Sequence, residues 1–151
     1  MNRQLKDICS SKKVQTIGPE GTIRDAVEIL NEYRIGCLVV LNANDKIEGI
    51  ISERDILQTL GKTDVKDNIN QIMVKEIMTP KEKLITASSE ATLEQLMHVM
   101  RDNNIRHIPI LDENENLTCI TSIRDVVRLL LKDSTEKLNQ LNDYITGKYP
   151  A

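Results

Sequence analysis

Aromatic side chains are nearly absent: three Tyr, no Phe and no Trp in 151 residues. A core must therefore be assembled from Ile, Leu, Val, Met and Ala, and recognition of nucleic acid by stacking bases on aromatic rings loses its usual means. Charge of one sign is missing too. The chain carries 20 basic and 23 acidic residues, spread rather than blocked, for a formal net charge of -3, which argues against both nucleic acid and an anionic membrane as partners. No apolar run approaches the roughly 20 residues needed to span a bilayer. The segment Met1 to Asp7 lacks the apolar centre of a signal peptide, so a cytoplasmic location is expected. Cysteines are few: Cys9, Cys37 and Cys119 are an odd number at wide spacing, which fits neither a disulfide framework nor a zinc site. They read as three reduced thiols.

The marks of catalysis are missing as well. His98 and His107 are the two histidines, and nothing in the sequence pairs either with a Ser or Cys nucleophile. There is no glycine-rich phosphate loop, no His-Glu-x-x-His and no cluster of metal-binding carboxylates. The chain is expected not to be an enzyme, to carry no metal and to need no catalytic cofactor.

What is present is a repeat. Val14 to Leu60 lies over Leu84 to Leu130 without a gap, at an offset of 70 residues. Identities include Thr16/Thr86, Glu20/Glu90, Thr22/Thr92, Ile35/Ile105, Asn44/Asn114, Ile50/Ile120, Ser52/Ser122, Arg54/Arg124 and Asp55/Asp125, and between them apolar faces apolar almost throughout. With one residue of slack the match runs upstream, Leu5-Lys6-Asp7-Ile8 against Val74-Lys75-Glu76-Ile77. Self-similarity over such a period marks one structural unit used twice.

Each copy changes its hydrophobic period in one order. A short strand, Val14 to Ile17 or Leu84 to Ala87, precedes a helix capped by Thr22 or Thr92 with apolar residues three and four apart. Two apolar strands follow, Cys37 to Leu41 with Lys46 to Ile51, and His107 to Leu111 with Asn116 to Thr121, each pair turning through Asn and Asp. A last helix starts at Ser52 or Ser122. The order is strand, helix, strand, strand, helix, an α+β unit close in character to α/β. One unit has too little sheet to cover, so two should pack into a single pseudo-symmetric body. The organisation expected is a leader over 1–13 packing on the module, units over 14–60 and 84–130, a linker over 61–83 with a helical turn at Val74 to Met78 stopped by Pro80, and a helical tail over 131–151. Leu138, Leu141, Tyr144 and Ile145 form an apolar stripe in that tail, ending near Gly147 and Pro150, which must pack on the module or on a second chain.

The segments Gly49 to Asp55 (GIISERD) and Cys119 to Asp125 (CITSIRD), the strands Cys37 to Leu41 and His107 to Leu111, and Val74 to Pro80 (VKEIMTP) together resemble CBS domains, named for cystathionine β-synthase. The whole-chain pattern resembles stand-alone bacterial proteins made of a CBS pair. The resemblance implies a Bateman module: two units about a pseudo-twofold axis with two clefts between them, and often a homodimer. It also implies an adenine-nucleotide ligand, AMP first, with ADP, ATP, NAD or S-adenosylmethionine as alternatives, and a regulatory role towards a protein client. Two other function classes are open to the sequence: a non-catalytic dimerisation scaffold with vestigial clefts, and a ligand-gated binder of nucleic acid or an enzyme, against which the net acidity counts.

Ser52-x-x-Asp55 and Ser122-x-x-Asp125 have two readings. One is a capping box, with Ser as N-cap and the acid three residues on. The other is a carboxylate that accepts the two hydroxyls of a ribose beside a helix N-terminus. Both can hold together, since a carboxylate has lone pairs to spare. In the family each cleft usually combines the Ser-x-x-Asp of one unit with the first two strands of the other. Carried over, the cleft on Asp55 would hold adenine against Thr86, Ala87 and Ile108, with Arg106, His107 and Arg124 near phosphate. The cleft on Asp125 would use Thr16, Ile17 and Leu38, with Arg54. Arg106 and His107 correspond to Gly36 and Cys37 in the first copy, so the Asp55 cleft is expected to be the tight phosphate site, and the Asp125 cleft to be weak, empty or taken by a less charged adenosyl ligand. Gly49 would let backbone approach a ligand closely, and its replacement by Cys119 counts further against the Asp125 cleft. The plainer alternatives are a solvated strand edge for Arg106, a packed imidazole for His107, and surface pairing of Arg54 and Arg124 with Glu53 or Asp125.

Overall fold

The computed structural model describes residues 3–11, 13–62 and 70–146. Helix α1 (Arg3–Ser11) leads into strand β1 (Thr16–Ile17), helix α2 (Ile23–Tyr33), strands β2 (Cys37–Leu41) and β3 (Ile47–Ser52) and helix α3 (Glu53–Leu60). Helix α4 (Val74–Ile77) and strand β4 (Thr79–Pro80) precede a 3-10 turn at Lys81–Lys83. The second copy follows as β5 (Ala87–Ser88), α5 (Leu93–Asp102), β6 (His107–Leu111), β7 (Leu117–Ser122) and α6 (Ile123–Ile145). The first sheet runs β1-β2-β3-β4 and the second β5-β6-β7. In each, the first pair is parallel and the hairpin antiparallel, and the paired residues of β6 and β7 stand 70 positions after those of β2 and β3.

Local chemistry explains why both copies fold alike. Thr22 Oγ1 accepts from the Asp25 backbone and Asp25 answers to the Thr22 backbone; Thr92 and Gln95 do the same. These reciprocal caps satisfy N–H groups a helix start leaves over. In the hairpins, Asn42 Oδ1 accepts from the backbones of Asn44 and Lys46, and Asp112 Oδ1 from those of Asn114 and Asn116, local bonds that make Asn and Asp turn formers. The turns take positive φ at Asp45 and Glu115, and α2 and α5 end through positive φ at Arg34 and Asn104.

The cores are exchanged between the copies. Val74 of α4 is fully buried among Ile23, Leu38 and Ile51 of the first unit, with Ile72, Ile77 and Met78 against it. Leu5 and Ile8 of α1 are buried with Leu93, Leu96, Met100, Ile108 and Val126 of the second. Each unit is therefore closed by the helix that precedes the other copy. The strands before α2 and α5 are shorter than the apolar pattern predicts: they begin at Thr16 and Ala87, with the Gln15 carbonyl accepting from the Val39 backbone just ahead of the first. The tail beyond Leu130 is no separate element; α6 runs unbroken to Ile145. Leu138, Leu141 and Ile145 stay well exposed, so they do not pack on the module. The side chain of Tyr144, and Gly147 and Pro150, lie outside the described residues.

The three cysteines are not all free. Cys9 and Cys119 form a disulfide across 110 residues with their Cα atoms 5.3 Å apart, and Cys37 is a buried free thiol. Spacing along the chain gave no hint of this because α1 crosses to the second unit. The first copy shows why the link fits there. A Cβ on Gly49 would collide with the Thr79 carbonyl oxygen and would stand 3.0 Å from Met78 Sδ. Gly49 thus admits β4 to the edge of β3, its close approach being to chain and not to a ligand. Cys119 takes Gly49's place in β7, Cys9 takes Met78's in the leader, and side chains meet where backbone met.

Thr121 replaces Ile51 in the second copy, and its fully buried hydroxyl has no hydrogen-bond partner among the described residues. Thr121→Val keeps the shape and removes the desolvated group, and should stabilise the protein by about 1 kcal/mol in urea denaturation. A loss of stability would mean that the hydroxyl is satisfied.

Candidate functional site

Two clefts open between the units, and both are built to one plan. The larger, about 460 Å³, is lined by Lys13, Val14 and Gln15 before β1, by Arg34 to Cys37 between α2 and β2, and by Ser122, Arg124 and Asp125 where α6 begins. The smaller, about 210 Å³, has Lys83 to Ile85, Asn104 to His107, and Ser52, Arg54 and Asp55 in the corresponding places. Corresponding residues differ by 70 throughout, upwards for the strand approaches and downwards for the helix starts, so the pseudo-twofold relation of the copies carries into the clefts. Ligand pockets commonly run from roughly 300 Å³ upwards, a range that includes the larger cleft and excludes the smaller as it stands.

At the floor of each cleft a strand turns directly into a helix, and the cap carboxylate sits at the turn. Asp55 Oδ2 accepts from Ser52 Oγ and the Ser52 backbone N–H, both at 2.8 Å. Asp125 Oδ2 accepts from Ser122 Oγ at 2.6 Å and from its backbone at 3.3 Å. In both, the Ser oxygen accepts from the backbone of the Asp, so the capping box is real in each copy. The cap contacts converge on one carboxylate oxygen. Asp125 is 3% exposed, and its Oδ1 lies 3.6 Å from a terminal nitrogen of Arg128, a residue whose counterpart in the first copy is Gln58.

The cations are not distributed as the sequence suggested. Arg106 and His107 line both clefts, because β6 begins beside the start of β2 between them; a Cβ on Gly36 would stand 3.3 Å from His107 Cε1. The expectation that the Asp125 cleft lacks these two groups is therefore corrected. That cleft also has Lys13, Arg34 and Arg124, against the two carboxylates of Glu53 and Asp125. Arg106 makes a 3.3 Å ion pair with Glu53 across the mouth, half exposed on both sides, a contact worth under about 1 kcal/mol and easily exchanged for a ligand. Arg54 reaches neither Glu53 nor Asp125 but the carbonyl of Asn104, at 3.4 Å. Arg34 holds φ 52 where the second copy has Asn104; a left-handed backbone suits Asn better than Arg, so the cation is kept at a conformational cost.

Cys37 at the wall of the larger cleft has its thiol pushed up to about 12 by burial, with the charges of Asp55 and Glu53 adding to the effect. It stays protonated at neutral pH and is no nucleophile.

Of the residues singled out from the sequence, Ser52, Arg54, Asp55, Ser122, Arg124, Asp125, Arg106 and His107 come together at the clefts. Ile108 and Leu38 are fully buried in the two cores, and Ile17 is buried beside Leu38. Thr16 and Thr86 are exposed and Ala87 half-buried, and none of these six lines a cleft among the described residues. The wall is instead made by residues just upstream of the strands. Lys13 and Lys83, identical at the same offset, were the signal for it, standing one position before the aligned stretch.

The CBS-domain model matches residues 5–62 and 74–132, nearly the whole of both copies with their exchanged helices. The chain belongs to the CBS-domain family. Similar CBS proteins include the mitochondrial CBS domain-containing protein CBSX3 of Arabidopsis thaliana, 35% identical over 96% of this chain and 73% of that one. The crystal structure of the CBS-domain protein ATU1752 from Agrobacterium tumefaciens is 32% identical with a TM-score of 0.73, over 82% of this chain and 96% of that one. The CBS pair of MJ0100, solved with 5'-methylthioadenosine and S-adenosyl-L-methionine, is 28% identical with a TM-score of 0.73, over 85% and 96%. The two sheets and their helices are thus a tandem CBS, or Bateman, module. No helix among its described residues is long and apolar enough to cross a membrane.

Proposed function

We propose that this CBS pair is a regulatory module that binds an adenine nucleotide, AMP first, and signals its presence to a protein client without catalysing a reaction. The observation that carries the reading is the pair of clefts on one plan, each ending in a capped carboxylate at a helix start. The cap engages Oδ2 in each, and a ribose would present its hydroxyls towards Oδ1, in the larger cleft exchanging for the contact with Arg128. In the larger cleft the phosphate would lie towards Arg106, with Lys13, Arg34 and Arg124 near. Adenosyl compounds bound by the MJ0100 CBS pair support the ligand class. The homodimer is part of the proposal: Leu57, Leu60 and Val127 stand exposed on α3 and α6, at or near pseudo-equivalent positions, and Leu131 and Leu138 continue the apolar line. A face of this kind fits a second copy of itself.

Calorimetric titration with AMP, ATP, NAD and S-adenosylmethionine tests the reading. Saturable AMP binding is expected, weakened about tenfold in Arg106→Ala through loss of a charge-assisted bond to phosphate. Unchanged AMP affinity in that variant would remove Arg106 from the site. No binding of any of the four would leave the scaffold reading, which the exposed stripe of Leu138, Leu141 and Ile145 favours.

A further inference from the structure

We propose that Cys9–Cys119 is a thiol–disulfide exchange site whose state sets the order, and with it the ligand affinity, of the cleft built on Asp125. The disulfide ties together the two chain segments that lead into opposite walls of that cleft, with both sulfurs on the core side of the walls and not in its lining. Cys9 stands four residues before Lys13, which with Val14 and Gln15 forms one wall; Cys119 stands three residues before Ser122, which with Asp125 forms the other. Leu5 and Ile8 hold the start of α1 in the second core whatever the state of the sulfurs. Reduction therefore does not free the leader. It loosens Lys13, Val14 and Gln15, the part that lines the cleft.

The site is open to exchange from one side. Cys119 is 1% exposed, whereas Cys9 is only partly buried. A thiolate of a dithiol reductant attacks Sγ of Cys9, the sulfur–sulfur bond breaks, and Cys119 leaves as thiolate and takes up a proton. The second thiol of the reductant then displaces Cys9, so the protein gains two thiols and the reductant leaves as its own disulfide. A disulfide oxidant reverses the sequence and accepts the two electrons. Cys37 stays a bystander, its thiol protonated in its buried place. The smaller cleft has Gly49 and Met78 at the equivalent positions and no covalent tie, so only one of two otherwise matched clefts answers to redox state.

The ligand half of this inference rests on the nucleotide reading, and the experiment separates the two. Protein treated with a disulfide oxidant should show one titratable thiol when unfolded, and protein treated with dithiothreitol three; three thiols in both overturns the proposal. Calorimetry with AMP should show about tenfold weaker binding to the reduced form, within the usual range of coupling between sites. Cys9→Ser should bind like the reduced form and ignore dithiothreitol. A merely structural disulfide would lower the melting temperature on reduction and leave AMP affinity at 25 °C unchanged, and that result overturns the proposal. If AMP binds neither form, the nucleotide reading fails by itself and amide exchange decides. Exchange at Val14 and Gln15 about tenfold faster after reduction upholds redox control of the wall, because a loosened segment opens more often; unchanged exchange overturns it.

Discussion

Asp125→Ala is expected to weaken AMP binding about a hundredfold, the cost of two hydrogen bonds to a charged group at the low end of their range. The carboxylate is 3% exposed at the floor of the 460 Å³ cleft, where little water competes for its lone pairs. The same change removes a cap partner from the start of α6 and should cost about 1 kcal/mol of stability. The two effects can be told apart. Asp125→Asn keeps an acceptor for the Ser122 backbone and so most of the cap, yet loses the charge that strengthens bonds to the ribose hydroxyls. It should bind AMP weakly and melt close to the parent. Calorimetry on Asp55→Ala beside it locates the ligand: the 210 Å³ cleft is small for a nucleotide, so the loss there should be slight. Binding that survives in Asp125→Ala and vanishes in Asp55→Ala would move the nucleotide to the smaller cleft.

Leu5→Ala should destabilise the protein by about 3 kcal/mol, a large fraction of a small domain's stability. The first few residues of a domain are ordinarily dispensable. Leu5 is fully buried, packed with Leu93, Leu96 and Met100 of a unit that begins nearly eighty positions later. Lys6, its exposed neighbour, gives the control: Lys6→Ala should stay within about 0.5 kcal/mol of the parent. Urea denaturation of the three proteins measures both, and equal midpoints would mean that α1 does not close the second core.

Much of the fold was legible because it is local. Thr22 with Asp25, Thr92 with Gln95, and the Asn and Asp of the hairpin turns specify helix starts and reversals through bonds between residues two to four apart, and the offset of 70 applies each inference twice. The cap carboxylates were legible for the same reason. What escaped was decided by how the copies meet. Leu38 and Ile108 match as central strand residues, and that is why they are in the cores and not at the clefts. Arg106 belongs to one copy in sequence and to both clefts in space. The disulfide escaped because parity and spacing were weighed along the chain. The upstream match that sets Ile8 against Ile77 also sets Cys9 against Met78, and Cys119 faces Gly49 at the offset of 70. Two aligned pairs held that contact, waiting on the knowledge that Gly49 and Met78 touch.

The exchange of closing helices also bears on how the chain can be made. During synthesis α4 follows closely on the first unit and can complete it at once, whereas α1 emerges first and its place in the second unit is formed last. Cys9 and Cys119 are 110 residues apart in a chain of 151, so joining them closes most of the chain into a loop, a slow kind of step because the ordering cost comes before the contacts that offset it. Until then Leu5 and Ile8 have no core to enter. Cutting the chain between the copies would yield one half with a helix to spare and no α4, and another with an open core. The two copies of one unit are, for folding, a single ring.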